Sequence, residues 1–296
     1  MKISQDERVR EVGVSATAVI VAAARAIETN HRHSLVSDAY AEHFVRAAPN
    51  SPVFPLRIED VPNGDDDAVW GRGGRYFGLR TRVFDDYFTS AAAAGVRQFV
   101  LLGAGLDSRA LRLPWPAKSE VYEIDQNDMI AFKIRVLDAL GAVPAARVHR
   151  VSADLREDWF GVLREAGFSP KQPTAWLAEG LLPYLPAATE TALFDMINTH
   201  SAPGSRVAFE FMRDQHTERI RDDAIYRDTE EKMGVHLSGL FDADVRPDSV
   251  GRLSGAGWEL QDKSVFEFAA EYGRGPEADV VDAIASARWV IGAKRT

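Results

Sequence analysis

Short apolar runs alternate with longer segments of helical periodicity from about residue 96 onward. On this alternation we place strands near residues 97–102, 119–124, 147–151, 174–178, 205–211, 257–262 and 287–293. Continuous apolar runs are typical of strands buried on both faces, and the helical segments between them suit crossover connections. The pattern therefore predicts an α/β fold with a seven-stranded, mostly parallel sheet and helices on both faces.

The first 95 residues lack this alternation and predict helices instead. Two helices are expected over residues 14–47, the second beginning near Ser37 and Asp38, and a third over residues 68–94. Residues 12–24 have the length and alanine content of a secretory h-region, but acidic residues stand where a leader is basic. We therefore expect a buried amphipathic helix there.

A charged segment with scattered apolar residues, 213–248, separates the fifth predicted strand from the sixth. It predicts a helical insertion that covers a pocket. The expected organisation is an N-terminal helical cap region over residues 1–95 and a core over residues 96–296, with a cap insertion at about residues 213–248.

The composition excludes several classes of function and binding partner. The chain has 44 acidic and 35 basic residues, a formal charge of −9, which disfavours binding to nucleic acid and favours a small-molecule partner. The lack of cysteine excludes thiolate metal sites and cysteine nucleophiles and suits a cytoplasmic protein. No apolar run reaches the roughly 20 residues of a membrane span. His31 and His33 predict a solvated polar turn, and no metal is expected. The sequence carries no signal for the oligomeric state.

A glycine-rich turn follows the first predicted strand. Gly103 and Gly105 let a ligand approach the backbone, and Asp125, 22 residues beyond Gly103, ends the second predicted strand. This spacing is close to that at which a carboxylate reaches the ribose in Rossmann-like folds. The third glycine of the dinucleotide fingerprint is replaced by Ser108. The alternatives are an ordinary turn for the glycines and a helix cap for Asp125.

Two more acidic residues follow the third and fourth predicted strands. Asp154 offers a carboxylate to an exocyclic amine, next to the backbone N–H of Leu155 for a ring nitrogen, a combination that recognises adenine. Glu179 follows the strand at residues 174–178. Ligands of doubly wound sheets lie at the carboxyl ends of strands, where these acids fall. Asp154 as a helix cap and Glu179 as a turn residue remain alternatives.

In their order along the chain, these motifs resemble the class I S-adenosylmethionine-dependent methyltransferases of the leucine carboxyl methyltransferase type, and in particular a bacterial branch similar to polyketide O-methyltransferases. The segments that carry the resemblance are residues 15–18, 23–26, 38–44, 80–86, 98–109, 122–126, 153–155 and 178–185.

The resemblance implies S-adenosylmethionine as cofactor and a role for each candidate residue. Gly103 would lie against the methionine moiety, with Gly105 in the same loop, and Asp125 would bind the ribose hydroxyls. Asp154 and Leu155 would bind adenine. Glu179 would lie beside the methionine amino group, and Arg80 would pair with its carboxylate.

The expected reaction is methyl transfer to a carboxylate or hydroxyl of a small or medium metabolite. No residue is assigned as a catalytic base. Two other functions stay open on sequence grounds. A nicotinamide-dependent oxidoreductase shares the glycine turn and the ribose acid, and a catalytically silent protein could keep the nucleoside pocket.

Overall fold

The computed structural model describes residues 5–48, 54–280 and 282–295. Its strands are β1 (Gln98–Leu102), β2 (Glu120–Asp125), β3 (Arg147–Ser152), β4 (Thr174–Ala178), β5 (Arg206–Met212), β6 (Trp258–Ser264) and β7 (Ala287–Lys294). Its α-helices are α1 (Gln5–Asn30), α2 (Ala41–Ala47), α3 (Gly73–Ala93), α4 (Arg109–Arg112), α5 (Asn127–Ala139), α6 (Trp159–Glu165), α7 (Ala187–Thr199), α8 (Glu218–Arg221), α9 (Ala224–Met233), α10 (Leu237–Leu240), α11 (Ser249–Gly255) and α12 (Val265–Tyr272). Short 3₁₀ segments cover Ile58–Asp60, Gly64–Asp66, Leu182–Tyr184 and Ala283–Ser286, and a π-helical turn covers Ala68–Arg72.

The seven strands of the described residues form one sheet in the order β3-β2-β1-β4-β5-β7-β6. Strands β1 to β5 pair in parallel, and β7 pairs antiparallel with β5. The chain moves from β1 to β2 and β3 on one side and then returns to place β4 on the other side of β1. This reversal is the topological switch point at which such sheets bind ligands. The prediction of a Rossmann-like, mostly parallel seven-stranded sheet with an N-terminal helical region is confirmed.

The chain divides into two compact units. The first contains Met1–Arg82, Asp214–Ala243 and Ser264–Ser286, and the second contains Val83–Arg213, Asp244–Lys263 and Ala287–Thr296. The domain limits expected from the sequence, and the cap role of residues 1–95 and 213–248, stay a prediction, since compactness alone does not show what a segment covers.

One cluster of buried apolar side chains forms the core of the sheet unit. Trp176, Phe209 and Val290 are fully buried there, and Leu155 and Leu181 pack against the same cluster. Burial of a large apolar side chain contributes about 1.5–3 kcal/mol, so this core fixes the strands whose ends carry the candidate site.

Buried ion pairs link the separate segments of the helical unit. Arg25 of α1 donates to Asp38 at 2.9 Å, and Asp38 also accepts the amides of Tyr40 and Ala41. The second helix therefore begins at Ala41, three residues later than expected, because Asp38 forms a turn before it. Arg72 donates to Asp282 at 2.7 Å and so ties the π-helical turn to the segment before β7.

The predicted solvated polar turn is confirmed at the exposed His33 and is wrong at His31. His31 is buried; its Nδ1 accepts the amide of His33 at 3.0 Å, and its Nε2 lies 3.3 Å from Asp65 Oδ2. His31 therefore belongs to the packing of the helical unit.

Candidate functional site at the strand ends

The loop after β1 has a backbone that suits glycine. Gly103 and Gly105 have φ of +65° and +45°, values that side-chain-bearing residues rarely adopt. A Cβ added to Gly103 would lie 2.9 Å from Leu181 Cδ1. The amide of Ala104 donates to the carbonyl of Ile124 at 2.9 Å, so the loop turns toward the end of β2.

Asp125, the last residue of β2, is bonded to this loop. Its Oδ2 accepts the amide of Gly105 at 2.6 Å, and its Oδ1 accepts the amide of Gln126 at 2.7 Å. Burial raises the pKa of Asp125, although these two amides favour the charged form. Helix α5 begins at Asn127 without a side-chain cap, so the helix-cap alternative for Asp125 is wrong.

Asp154 lies two residues beyond the end of β3. The amide of Ala153 donates to the carbonyl of Asp125 at 3.0 Å, which brings this loop to the end of β2. Asp154 accepts hydrogen bonds from Arg156 Nη2 at 2.6 Å and from the Arg156 backbone amide at 2.8 Å. Burial alone would raise the pKa of Asp154, but the bonds and charge of Arg156 lower it. Asp158 caps α6, so Asp154 is not its cap.

Glu179 follows the last residue of β4, and its Oε2 accepts the Arg109 Nη1 at 2.6 Å. The next residue, Gly180, has φ of +59°, and its amide donates to the buried Glu210 at 3.0 Å. Glu210 also accepts the indole N–H of Trp289 at 3.0 Å. The turn after β4 is therefore held by β5 and β7.

A buried ionic cluster beside the glycine loop was missed by sequence reasoning. The fully buried Arg109 donates to Asp85 at 2.7 Å, and it also bonds Asp107 and Glu179. Burial would lower the pKa of Arg109, but Asp107, Glu179 and Asp85 together raise it well above its ordinary value. Arg112 holds the same Asp85 through both terminal nitrogens, at 2.5 and 2.7 Å. The spacing of Asp107, Arg109 and Arg112 behind the glycines was the available signal.

Arg80 belongs to the helical unit. It is 5% exposed, and its guanidinium carbon lies 4.8 Å from the ring centre of Phe77 and 5.7 Å from that of Tyr76. These are cation–π distances. Gly103, Gly105, Asp125, Asp154, Leu155 and Glu179 all lie in the sheet unit. The role of Arg80 toward a cofactor stays a prediction.

Over residues 5–48, 54–280 and 282–295, no group of three or more histidine or acidic side chains is placed to hold a metal ion. Within the same residues, no helix has both the length and the apolar character that a bilayer span requires.

Comparison with known proteins identifies the family. The leucine carboxyl methyltransferase model matches residues 18–198. A protein of Streptomyces coelicolor, named "Putative S-adenosyl-L-methionine-dependent methyltransferase", is 49% identical over 282 residues, 95% of this chain and 93% of its own. A relative of the same name from Mycolicibacterium smegmatis is 43% identical over 283 residues, 91% of this chain and 89% of its own.

Solved structures show the same fold at low identity. A DUF574 family protein from Streptomyces avermitilis is 13% identical with a TM-score of 0.55, and the match covers 95% of this chain and 97% of that one. The family match and the close relatives agree with the motifs at the strand ends. The chain therefore belongs to the leucine carboxyl methyltransferase family and is an S-adenosylmethionine-dependent methyltransferase.

Proposed function

We propose that this methyltransferase acts on oxygen and transfers the methyl group to a carboxylate or hydroxyl of a small or medium metabolite. The family membership supports a carboxylate acceptor by analogy, and the net charge of −9 disfavours a nucleic acid. Apart from Arg80 of α3, the residues that the proposal uses lie at or just beyond the carboxyl ends of β1 to β4.

One observation carries the assignment of the cofactor site. A glycine loop follows β1, and acidic residues end β2 and follow β3 and β4, with Asp125 directly bonded to the loop. S-adenosylmethionine presents ribose hydroxyls, an adenine amine and an ammonium group, which are hydrogen-bond donors that carboxylates accept. The donor and acceptor set of these residues therefore fits this cofactor.

Each residue has a proposed role. Asp125 accepts bonds from the ribose hydroxyls, and Asp154 with the Leu155 amide recognises adenine. Glu179 binds the methionine amino group, Arg80 its carboxylate, and Gly103 and Gly105 let the backbone approach the methionine moiety. Asp125 supports this best, since its carboxylate is already oriented by two backbone amides.

Methyl transfer depends on the alignment of the acceptor oxygen with the methyl group more than on acid–base catalysis by side chains. The cofactor supplies an electrophilic methyl group on a sulfonium. The protein holds the acceptor oxygen in line with it, and such positioning accounts for a large part of many rate enhancements. A carboxylate acceptor needs no base, whereas a hydroxyl acceptor requires a proton acceptor within hydrogen-bond reach. The segments 1–95 and 213–248 are proposed to form the cap that excludes water.

We also propose a cytoplasmic location, which the complete lack of cysteine suits.

Methyl-labelled cofactor and a metabolite extract test the acceptor class. We expect label in a small organic product, separated by mass. Mild alkali then distinguishes the two acceptors, since a methyl ester releases labelled methanol and a methyl ether does not. Label on nitrogen, carbon, nucleic acid or protein would contradict the proposal. The Asp125→Ala variant controls for transfer that does not depend on the proposed site.

A further inference from the structure

We infer that Arg109 is a positioning residue that holds Glu179 for the amino-acid end of the cofactor. The inference rests on the proposed role of Glu179 and deepens it. It assigns a function to the buried ionic cluster of Asp85, Asp107, Arg109, Arg112 and Glu179, which the fold alone does not require.

The burial of Arg109 is the first argument. Its side chain is 2% exposed, and those of Asp85, Asp107 and Glu179 are 9–12% exposed. Burying ionic groups costs several kcal/mol per ion unless charge and hydrogen bonds offset it. Apolar side chains of similar volume often replace buried ion pairs without loss of stability, so the place of this cluster beside the glycine loop points to a use there.

The connections of Arg109 are the second argument. Its Nε is bonded to Asp85 of α3, and its Nη1 bonds both Asp107 of the glycine loop and Glu179 at the end of β4. One planar guanidinium thus joins the loop after β1 to the turn after β4. Lysine has no such fork and cannot reproduce this geometry.

Arg109 is itself held in place. Asp85 accepts bonds from both Arg109 and Arg112, the Arg109 amide donates to Asp107 at 2.7 Å, and the Arg109 carbonyl accepts the Trp115 indole N–H at 2.8 Å. A side chain locked in this way fixes the orientation of the Glu179 carboxylate before a ligand binds. Preorganisation of this kind lowers the entropic cost of binding.

A selective effect follows. If Glu179 contacts the amino group of the cofactor, Arg109 matters for ligands that carry the amino-acid tail and not for those that lack it. S-adenosylhomocysteine and 5′-methylthioadenosine are both thioethers of adenosine with an uncharged sulfur, and only the first carries the amino-acid tail with its ammonium and carboxylate groups. Their affinities for the full-length protein can be compared directly by calorimetry.

The test uses Arg109→Lys, Glu179→Gln and the double variant. We expect each single variant to weaken S-adenosylhomocysteine binding by about tenfold, the loss of one charge-assisted bond, and to change methylthioadenosine binding less than about twofold. The double variant should bind S-adenosylhomocysteine as well as the single variant with the lower affinity. Both substitutions disrupt the same Arg109–Glu179 pair, so their effects on the binding free energy should not add. Arg288→Lys is the matched control, because Arg288 is a part-buried arginine of the same unit that bonds Asp262, outside the cluster, and it should leave the ratio of the two affinities unchanged.

The outcomes separate the inference from the proposed function. If Glu179→Gln leaves S-adenosylhomocysteine affinity unchanged, the proposed role of Glu179 is wrong. If it weakens binding while Arg109→Lys has no effect, or lowers both affinities equally, the proposed role stands and the positioning inference is overturned. If Arg109→Lys does not fold, Asp85→Asn, which loosens Arg109 from the other side, is measured by the same ratio.

Discussion

The carboxylates at the strand ends accept hydrogen bonds from the protein itself. The same bonds that shape the loops therefore orient the side chains that are proposed to bind the cofactor. Asp125 orients the glycine loop through one oxygen and the Gln126 amide through the other. Such a carboxylate is already fixed before a ligand arrives. A change at this residue should therefore affect affinity more than folding.

Asp125→Ala tests this at the residue scale. The variant loses charge-assisted bonds to the ribose worth about 1.5–3 kcal/mol, and we expect cofactor affinity measured by calorimetry to fall accordingly. Asp158→Ala is the control, since Asp158 caps α6 by accepting the Gly161 amide at 3.0 Å. That variant should lose about 1 kcal/mol of unfolding free energy and keep its affinity. Unchanged affinity in folded Asp125→Ala would remove Asp125 from the site.

Two kinds of local structure support the strand ends: a turn with positive φ after β1, and a buried ion pair that joins β2 to the helix after it. The loop after β1 needs glycine for both reasons seen at Gly103, conformation and close approach of Leu181. Strand β2 is joined to α5 by Glu123 and Lys133, both fully buried and 2.9 Å apart. Substitution of the loop glycine should change both stability and cofactor affinity, whereas substitution of the buried lysine should change stability.

Gly103→Ala separates conformation from crowding when it is compared with Gly141→Ala. Gly141 has φ of +61°, close to the +65° of Gly103, but nothing lies within 4 Å of an added Cβ. Both variants should lose about 1 kcal/mol of stability from the left-handed backbone. Gly103→Ala alone should lose further stability and cofactor affinity, measured by thermal unfolding and calorimetry. Equal behaviour of the two variants would argue against a special role of this loop.

Lys133→Met leaves Glu123 buried with the Arg150 guanidinium, 3.3 Å from its other oxygen, as a remaining cation. Removing one partner of a buried pair costs about 3–5 kcal/mol, and we expect the lower end here. The double variant Lys133→Met, Glu123→Gln should be more stable than Lys133→Met alone, measured by urea unfolding. Additive losses in the double variant would show that packing of the lysine chain, and not charge, sets its contribution.

The sequence predicted the sheet of this chain better than it predicted the ionic clusters. Every predicted strand agrees with an observed one within two residues. The agreement is simplest to explain for β1 and β4, which are buried along their whole length and are nearly continuous apolar runs that end at loops. The glycine loop and Asp125 were recognisable for the same reason, since strand ends locate them. Arg109 and Asp85 were missed because their partners lie 24 and 70 residues away along the chain, and periodicity carries no record of such pairing.

The response of the whole chain to acid follows from such pairs. Burial alone would raise the pKa of Glu277, but the hydrogen bonds and charges of Arg75 and Arg72 lower that pKa below its ordinary value of 4.5. A depressed folded pKa contributes stability above pH 4.5 that is lost as the pH falls through the lower folded value. Glu277→Gln should therefore lower the Tm at pH 6 and converge with the unmodified chain below the folded pKa. Glu259→Gln, which breaks an exposed pair with Arg295, should change the Tm little at either pH. A constant Tm difference from pH 6 down to pH 3 would show that Glu277 acts through packing and not through its charge.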